Sequence, residues 1–241
     1  MNRTAIEQTT IMDGGLRVYL LKVYNYMALE LVMTGTIAFF SSQSETFLNA
    51  MYVMSGSDVT GMKPLAWIIL FAPLGLVIFL SFSMQTMSLP LIQFSYWLYA
   101  ALVGMSFSIL FLTFTGESIA RIFFITAATF GGMSLYGYTT KRDLTGLGSF
   151  LTMGLIGLII GSLVNLFLHS SGMQFALSII GALVFTGLTA YDTQKLKTLY
   201  YQAAEGNEGA GKLVVFAALT LYLDFINIFL NLLNLFGRRK R

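Results

Sequence analysis

The sequence predicts an all-α protein, a polytopic transmembrane bundle of seven helices. Of its 241 residues, 56% are hydrophobic and 10% are charged, whereas a soluble domain carries about 25% charged residues. The apolar residues fall in runs of about twenty, the length at which a helix crosses a ~30 Å hydrocarbon core. No polar stretch is long enough to enclose a water-soluble core. We therefore expect an integral membrane protein embedded in the lipid bilayer.

Short polar breaks such as TTKRDLTG and HSSGMQ separate the apolar runs. The predicted helices cover residues 20–40, 65–83, 91–113, 119–138, 147–168, 174–192 and 212–236. The predicted organisation is an N-terminal segment (1–19), a single transmembrane domain (20–236) and a basic C-terminal tail (237–241). The first 23 residues lack the basic-then-apolar order of a cleavable signal peptide. The first helix is therefore expected to direct insertion.

The distribution of Lys and Arg predicts that the N-terminus is cytoplasmic, because cytoplasmic loops carry the excess of these residues. Over the first six spans, the outer loops hold Lys63 and Arg121. The inner regions hold eight basic residues: Arg3, Arg17, Lys22, Lys141, Arg142, Lys195, Lys197 and Lys212.

The seventh segment leaves two topologies open. If residues 212–236 cross fully, the tail GRRKR lies outside, and eight basic residues on the inner side face six on the outer side. If the segment is re-entrant, the tail lies inside, and twelve basic residues on the inner side face two on the outer side. Length favours a full crossing, whereas the charge rule favours re-entry.

The seventh segment carries a polar stripe. On a helix, Asn227, Asn231 and Asn234 lie within about 80° of arc from Asp224, and Thr220 falls on the same side. A polar stripe on an otherwise apolar helix must face protein or water, because unpaired polar groups in hydrocarbon are costly. The stripe is a candidate ion path. Alternatively, its asparagines hydrogen-bond a neighbouring helix.

Two more acids lie within predicted spans. Asp192 ends the sixth span, where an interfacial cap or a pair with Lys195 is the alternative interpretation, and Glu30 lies near the middle of the first. Three acids, with no lysine at comparable depth, indicate a route for cations or protons.

Catalytic and cofactor signatures are scarce. The chain has no cysteine and a single histidine, His169, so a thiolate metal site is excluded and a histidine cluster cannot form. No HExxH motif, phosphate loop or GxGxxG element occurs. The net charge of +3 gives no indication of nucleic-acid binding. We expect no enzymatic activity and no cofactor; the enzyme rival is an intramembrane aspartyl protease built on Asp192 and Asp224.

Three sequence elements resemble the Bax inhibitor-1 family, also called the TMBIM family. These elements are GLTAYDTQKLK at the end of the sixth span, LYLDFINIFLNLL in the last, and VYNYMALELVMTGTIAFF in the first. The resemblance extends over about residues 20–236, and bacterial members are inner-membrane proteins. It implies a bundle with the last helix at its centre and a pH-sensitive calcium leak.

The resemblance also implies a pH-sensing pair, which maps onto Asp192 and Asp224 and would bind Ca²⁺ transiently as the transported ion. Adjacent carboxylates in a low-dielectric setting cannot both ionise cheaply, so such a pair shares a proton and titrates as a unit. Glu30, Thr220, Asn227 and Asn231 are further candidates for the ion path.

The chain departs from the family pattern at one point: residues 65–83 contain no Arg or Lys, whereas some members hold the acidic pair with an arginine there. The main rival to a leak is a non-conducting regulator that binds a membrane protease or another membrane partner. Family members suppress cell death in eukaryotes and are linked to membrane-protein quality control in bacteria.

Overall fold

The computed structural model describes residues 3–55, 58–83, 86–204 and 210–240. Its helices are α1 (Arg3–Gln43), α2 (Glu45–Met51), α3 (Pro64–Ser83), α4 (Leu89–Ser106), α5 (Ser108–Thr113), α6 (Gly116–Thr139), α7 (Thr145–Leu168), α8 (Ser171–Ala204) and α9 (Ala210–Phe236). Seven stretches of the described residues are long and apolar enough to cross a membrane, with α4 and α5 forming the third. The predicted seven-helix bundle is confirmed.

The last helix, α9, is the centre of the bundle. It packs against α1, α4, α6 and α8. In its most apolar 18-residue stretch 67% of the residues are buried, against 11–33% in the other six spans. The other helices can expose apolar side chains to lipid, whereas α9 is enclosed by protein on most of its circumference.

The helix ends differ from the predicted boundaries. α1 begins at Arg3 and not near residue 20, and α8 continues to Ala204, twelve residues beyond the predicted end at 192. Hydropathy predicts the part of a helix that lies in the membrane and not the end of the helix itself. Beyond residue 192, Gln, Lys and Leu are good helix formers, so α8 continues outside the apolar stretch. The predicted division at 19/20 therefore falls inside a continuous helix.

The connection after the first span has structure that the sequence analysis missed. It contains α2 and an antiparallel hairpin of β1 (Tyr52–Ser55) and β2 (Asp58–Met62). Tyr52 pairs with Met62, and the register is irregular between Val53 and Met54. Aromatic and β-branched residues such as Tyr52, Val53 and Val59 favour strands.

The C-terminal tail shows that α9 crosses the bundle completely. The tail pairs with the connection between the third and fourth spans: Thr115 N–H donates to Arg238 O at 2.9 Å, and Lys240 N–H donates to Thr113 O at 2.9 Å. The Lys240 ammonium donates to Phe111 O at 2.7 Å. The re-entrant alternative is therefore wrong, although it suited the charge rule better.

These contacts define two faces of the bundle. The N-terminal face carries residues 86–88 and 140–144 and the start of α9, where Gly211 lies against Leu89. The C-terminal face carries α2, the hairpin, residues 114–115 and 169–170, and the tail 237–240.

Candidate functional site

Two carboxyl groups meet in the interior, between α8 and α9. Asp224 is 4% exposed on α9, and Asp192 is half-buried on α8. Their side chains are neighbours, close enough for each carboxyl group to act electrostatically on the other. The contact forms because α8 stays helical past residue 192, so that Asp192 projects from the side of a helix onto α9.

The surroundings of this carboxyl pair leave one of its oxygens unpaired. Asp224 Oδ2 has no hydrogen-bond partner among the described residues. Thr189 and Thr193, both fully buried, donate to the carbonyl oxygens of Phe185 and Thr189, at 2.9 and 2.8 Å. Their hydroxyl hydrogens are therefore used within α8 and are not donated to the carboxyl groups.

A chain of hydroxyls connects α1 to the residue beside Asp192. Tyr24 hydrogen-bonds Ser134, and Ser134 Oγ lies 3.0 Å from Thr193 Oγ1. A hydroxyl has one hydrogen to give, and Thr193 gives its hydrogen to the carbonyl of Thr189. Ser134 therefore donates to Thr193 and Tyr24 donates to Ser134, which couples α1 and α6 to α8 at the level of the carboxyl pair.

The loop before α7 is tied to α8 two residues beyond Asp192. Leu144 N–H donates to Gln194 Oε1 at 2.8 Å, and Gln194 Nε2 donates to Arg142 O at 2.8 Å. In the same loop, hydrogen bonds from the Thr145 hydroxyl and N–H lower the pKa of Asp143. This loop thus fixes the part of α8 that carries Asp192.

The polar stripe of α9 is the least buried side of that helix. The Asn227 amide donates to Leu223 O at 2.8 Å, and the Asn231 amide donates to Asn227 O at 2.7 Å. Thr220 donates to Phe216 O at 3.1 Å. All three bond their own helix, so the alternative in which the Asn231 amide donates to a neighbouring helix is wrong.

A close approach of α8 to the stripe explains where the Asn231 side chain lies. A Cβ added to Gly181 would stand 2.5 Å from Asn231 Oδ1, which is far inside van der Waals contact. The glycine therefore makes room for the carboxamide, and the outer half of the stripe faces the backbone of α8.

A polar cavity of about 660 Å³ opens at the C-terminal face, at the outer end of the stripe. It is bounded by α7, α8, α9 and the tail, and its lining includes Asn234 from the stripe and Ser178 from α8. Arg239 is the one charged side chain among the lining residues, which also include Ser162, Asn165, His169, Ser170, Ser171 and Gln174. The cavity can hold water above the stripe.

Glu30 lies in a separate interior site. It is fully buried, and neither carboxyl oxygen has a hydrogen-bond partner among the described residues. The Tyr96 hydroxyl stands beside the carboxyl group but outside hydrogen-bond geometry, and Tyr99 and Tyr222 complete the surroundings. Tyr222 and Asp224 are two residues apart on α9 and point to different sides. Glu30 and the carboxyl pair are therefore not brought together.

The carboxyl pair offers too few ligands for stable metal binding. Among the described residues, no group of three or more His, Cys, Asp or Glu is placed to hold a metal ion. Calcium takes six to eight oxygen ligands, whereas two carboxylates provide four. Water would have to complete the shell of a calcium ion bound there.

A comparison with known protein families assigns the chain to one of them. The sequence profile of the family described as "Inhibitor of apoptosis-promoting Bax1" matches residues 16–241. The chain belongs to the Bax inhibitor-1 family. The match includes all seven spans and both members of the carboxyl pair.

Full-length bacterial proteins resemble the chain. A protein of Rickettsia prowazekii is 52% identical over 238 residues, covering 98% of this chain and 96% of its own. A protein of Caulobacter vibrioides is 44% identical over 225 residues, covering 93% and 90%. The inner membrane protein YbhL of Escherichia coli is 43% identical over 228 residues, covering 94% of each chain. The chain is thus an integral membrane protein related to a bacterial inner-membrane protein.

Proposed function

We propose that the protein is a pH-sensitive leak for calcium and other cations, gated by Asp192 and Asp224. The observation that carries this proposal is the contact between the two carboxyl groups in the interior of the bundle. Buried like charges at such a distance repel strongly unless a proton is shared between them. The pair can therefore respond to pH and to a cation through the same atoms.

The gate works through the packing of α8 on α9. While the two carboxyl groups share a proton, a hydrogen bond holds the helices together. Loss of that proton creates two like charges, which push the helices apart and offer oxygen ligands to a hard cation. No Lys or Arg occurs in α3 to neutralise the pair; the positive charge that acts on it is Lys195, three residues beyond Asp192. The repulsion is therefore opposed by Lys195, by packing and by the entering cation.

The proposed path runs from the C-terminal face to the carboxyl pair. Ions enter the polar cavity at Asn234, pass Asn231 and Asn227, and reach Asp224. The Gly181 contact closes this route at Asn231, so α8 must move before an ion passes. Thr220 lies on the same stripe beyond the carboxyl pair, and Glu30 is a candidate for proton transfer on the other side of α9.

We further propose that the protein lies in the bacterial inner membrane with its N-terminus in the cytoplasm. The relationship to YbhL and the excess of Lys and Arg in the regions assigned to the N-terminal face support this orientation. A reporter fused after residue 241 is expected to be active on the outer side, and activity in the cytoplasm would contradict the orientation.

Flux into liposomes tests the leak. The purified protein is reconstituted in vesicles that enclose a calcium dye, and external pH is varied between about 5 and 8. We expect calcium entry in the wild type to increase with pH, as the shared proton is lost. The absence of protein-dependent entry at every pH would refute the leak.

Matched variants test the carboxyl pair. Asp192→Asn and Asp224→Asn each remove one titrating group, so flux is expected to lose its pH dependence. Glu117→Gln is the control, because this acid is exposed at the start of α6 and outside the path. A pH profile that survives both interior substitutions would refute gating by the pair.

The alternative function is a non-conducting regulator that binds a membrane protease or another membrane protein. The same preparation distinguishes it from the leak. A protease complex that co-purifies with a protein showing no flux would favour the regulator, and the interface would then be sought on lipid-facing helix surfaces.

A further inference from the structure

An apolar groove of about 480 Å³ opens between α1 and α6 at the N-terminal face. All of its lining residues belong to these two helices. α9 lies behind the groove, since Phe130 in the groove packs on Phe225 with 5.6 Å between ring centroids. The walls are apolar: Leu20, Leu21 and Leu135 line them. The hydrogen bond between Tyr24 and Ser134 closes the inner end.

The groove opens sideways, towards the region that lipid occupies. Leu21 is 53% exposed and Leu135 is 62% exposed, one on each rim. Water is a poor occupant of such a surface, because apolar area in contact with water is unfavourable. The chemistry of the walls therefore fits an acyl chain that enters from the bilayer.

Positive charge stands at the mouth. Arg17 is the one charged residue that lines the groove, and it is exposed. It lies three residues before the predicted start of the first span at residue 20, where the helix is expected to pass the lipid headgroups. Tyr138 also lines the mouth, and the Lys197 ammonium stands 5.0 Å from the centroid of its ring and donates to its carbonyl at 2.8 Å.

We propose that this groove binds one phospholipid with an anionic headgroup, taken from the leaflet at the N-terminal face. The lipid phosphate lies at Arg17, with Lys197 contributing charge, and one acyl chain lies along Leu20, Phe130 and Leu135. The positive charge of Arg17 favours an anionic headgroup over a neutral one. The apolar walls favour a phospholipid, which has an acyl chain, over a free phosphate ion. The site lies outside the ion path, so it stands independently of the leak.

The two glycines in the middle of α6 provide a matched pair of variants. A Cβ at Gly131 or at Gly132 would meet no atom within 4 Å, so both sites accept a larger side chain. Gly131 lines the groove and Gly132 does not. Gly131→Leu therefore fills the groove, whereas Gly132→Leu adds the same side chain outside it.

Native mass spectrometry of the purified full-length chain tests the site. Detergent-solubilised protein is mixed with phosphatidylglycerol or phosphatidylcholine of identical acyl chains, and retained lipids are counted. We expect the wild type to retain one phosphatidylglycerol molecule in preference to phosphatidylcholine. Arg17→Gln should weaken that preference about fivefold, the contribution of one basic residue near an anionic lipid.

The controls make the result decisive. Arg142→Gln removes the same charge from an exposed position on the same face and should behave as the wild type, as should Gly132→Leu. Gly131→Leu should lose the retained lipid. Retention by Gly131→Leu at the wild-type level, or equal retention of the two headgroups by the wild type, would overturn the proposal.

Discussion

Replacing Gly137 by Ala is expected to separate α6 from α8 beside the carboxyl pair. Gly137 is buried, and an added Cβ would lie 2.8 Å from the carbonyl carbon of Ala190, 2.9 Å from its Cα, and closer still to its oxygen. The obstacle is helix backbone, so no side chain can rotate away. Restoring an ordinary 3.4 Å contact requires α6 and α8 to move apart by at least about 0.6 Å at the carbonyl carbon.

That displacement costs a packing contact and a hydrogen bond. Overpacking of a buried site destabilises by about 1–3 kcal/mol. The Ser134–Thr193 hydrogen bond, now 3.0 Å long, would stretch to about 3.6 Å and contribute about 0.6–1 kcal/mol less. We therefore expect Gly137→Ala to lower the free energy of unfolding by about 2–4 kcal/mol.

Reversible unfolding in mixed micelles, followed by far-UV circular dichroism, measures this loss. Gly132→Ala is the control, because its Cβ meets no atom within 4 Å; it should be neutral or up to about 1 kcal/mol more stable. If Gly137→Ala unfolds within about 0.5 kcal/mol of the wild type, the close packing of α6 on α8 does not contribute to stability as calculated.

Three further outcomes are expected. Gly181→Ala should displace the Asn231 side chain and alter calcium flux without lowering stability by more than about 3 kcal/mol; unchanged flux would remove this contact from the path. Ser118→Ala leaves the Arg238 N–H without its 2.8 Å acceptor, so proteolysis should release the tail sooner; an unchanged rate would contradict this anchor. Thr145→Val should raise the pKa of Asp143 towards its ordinary value, since the Thr145 hydroxyl lowers it. In the wild type, the hydrogen bonds to ionised Asp143 stabilise the folded state slightly. This stabilisation is present above the unfolded-state pKa of Asp143 and is lost as pH falls through its folded-state pKa. An NMR titration that shows no rise would refute this assignment.

Periodicity within one helix was sufficient to predict much of the candidate site. The stripe from Thr220 to Asn234 follows from 3.6 residues per turn, and it does lie on one side of α9. Asp224, the acid on this stripe, was expected to face protein or water because it lies deep within the last span, and it is buried. Its contact with Asp192 came from family resemblance, because the angle between two helices is not encoded in the spacing along either of them.

The surroundings of Glu30 could not be read from the sequence for the same reason. Tyr96, Tyr99 and Tyr222 come from α4 and α9, and their convergence depends on which helices are neighbours. The tail is a second case: Arg238 bonds Ser118 across 120 residues. The Lys and Arg count predicted the side of the tail from its positive charge alone. In the structure, backbone hydrogen bonds at 2.9 Å hold the tail on the C-terminal face.

The order of synthesis makes the central position of α9 consequential. The helix that fills the middle of the bundle is translated after the other six spans, so these enter the membrane before their common partner exists. Until α9 inserts, Tyr96 and Glu30 lack the surface that buries them, and polar groups exposed to lipid are costly. Arrival of the 27 residues of α9 therefore converts a loose set of helices into a bundle in one step. A chain truncated before α9 is expected to be recognised by the cell as an unassembled membrane protein.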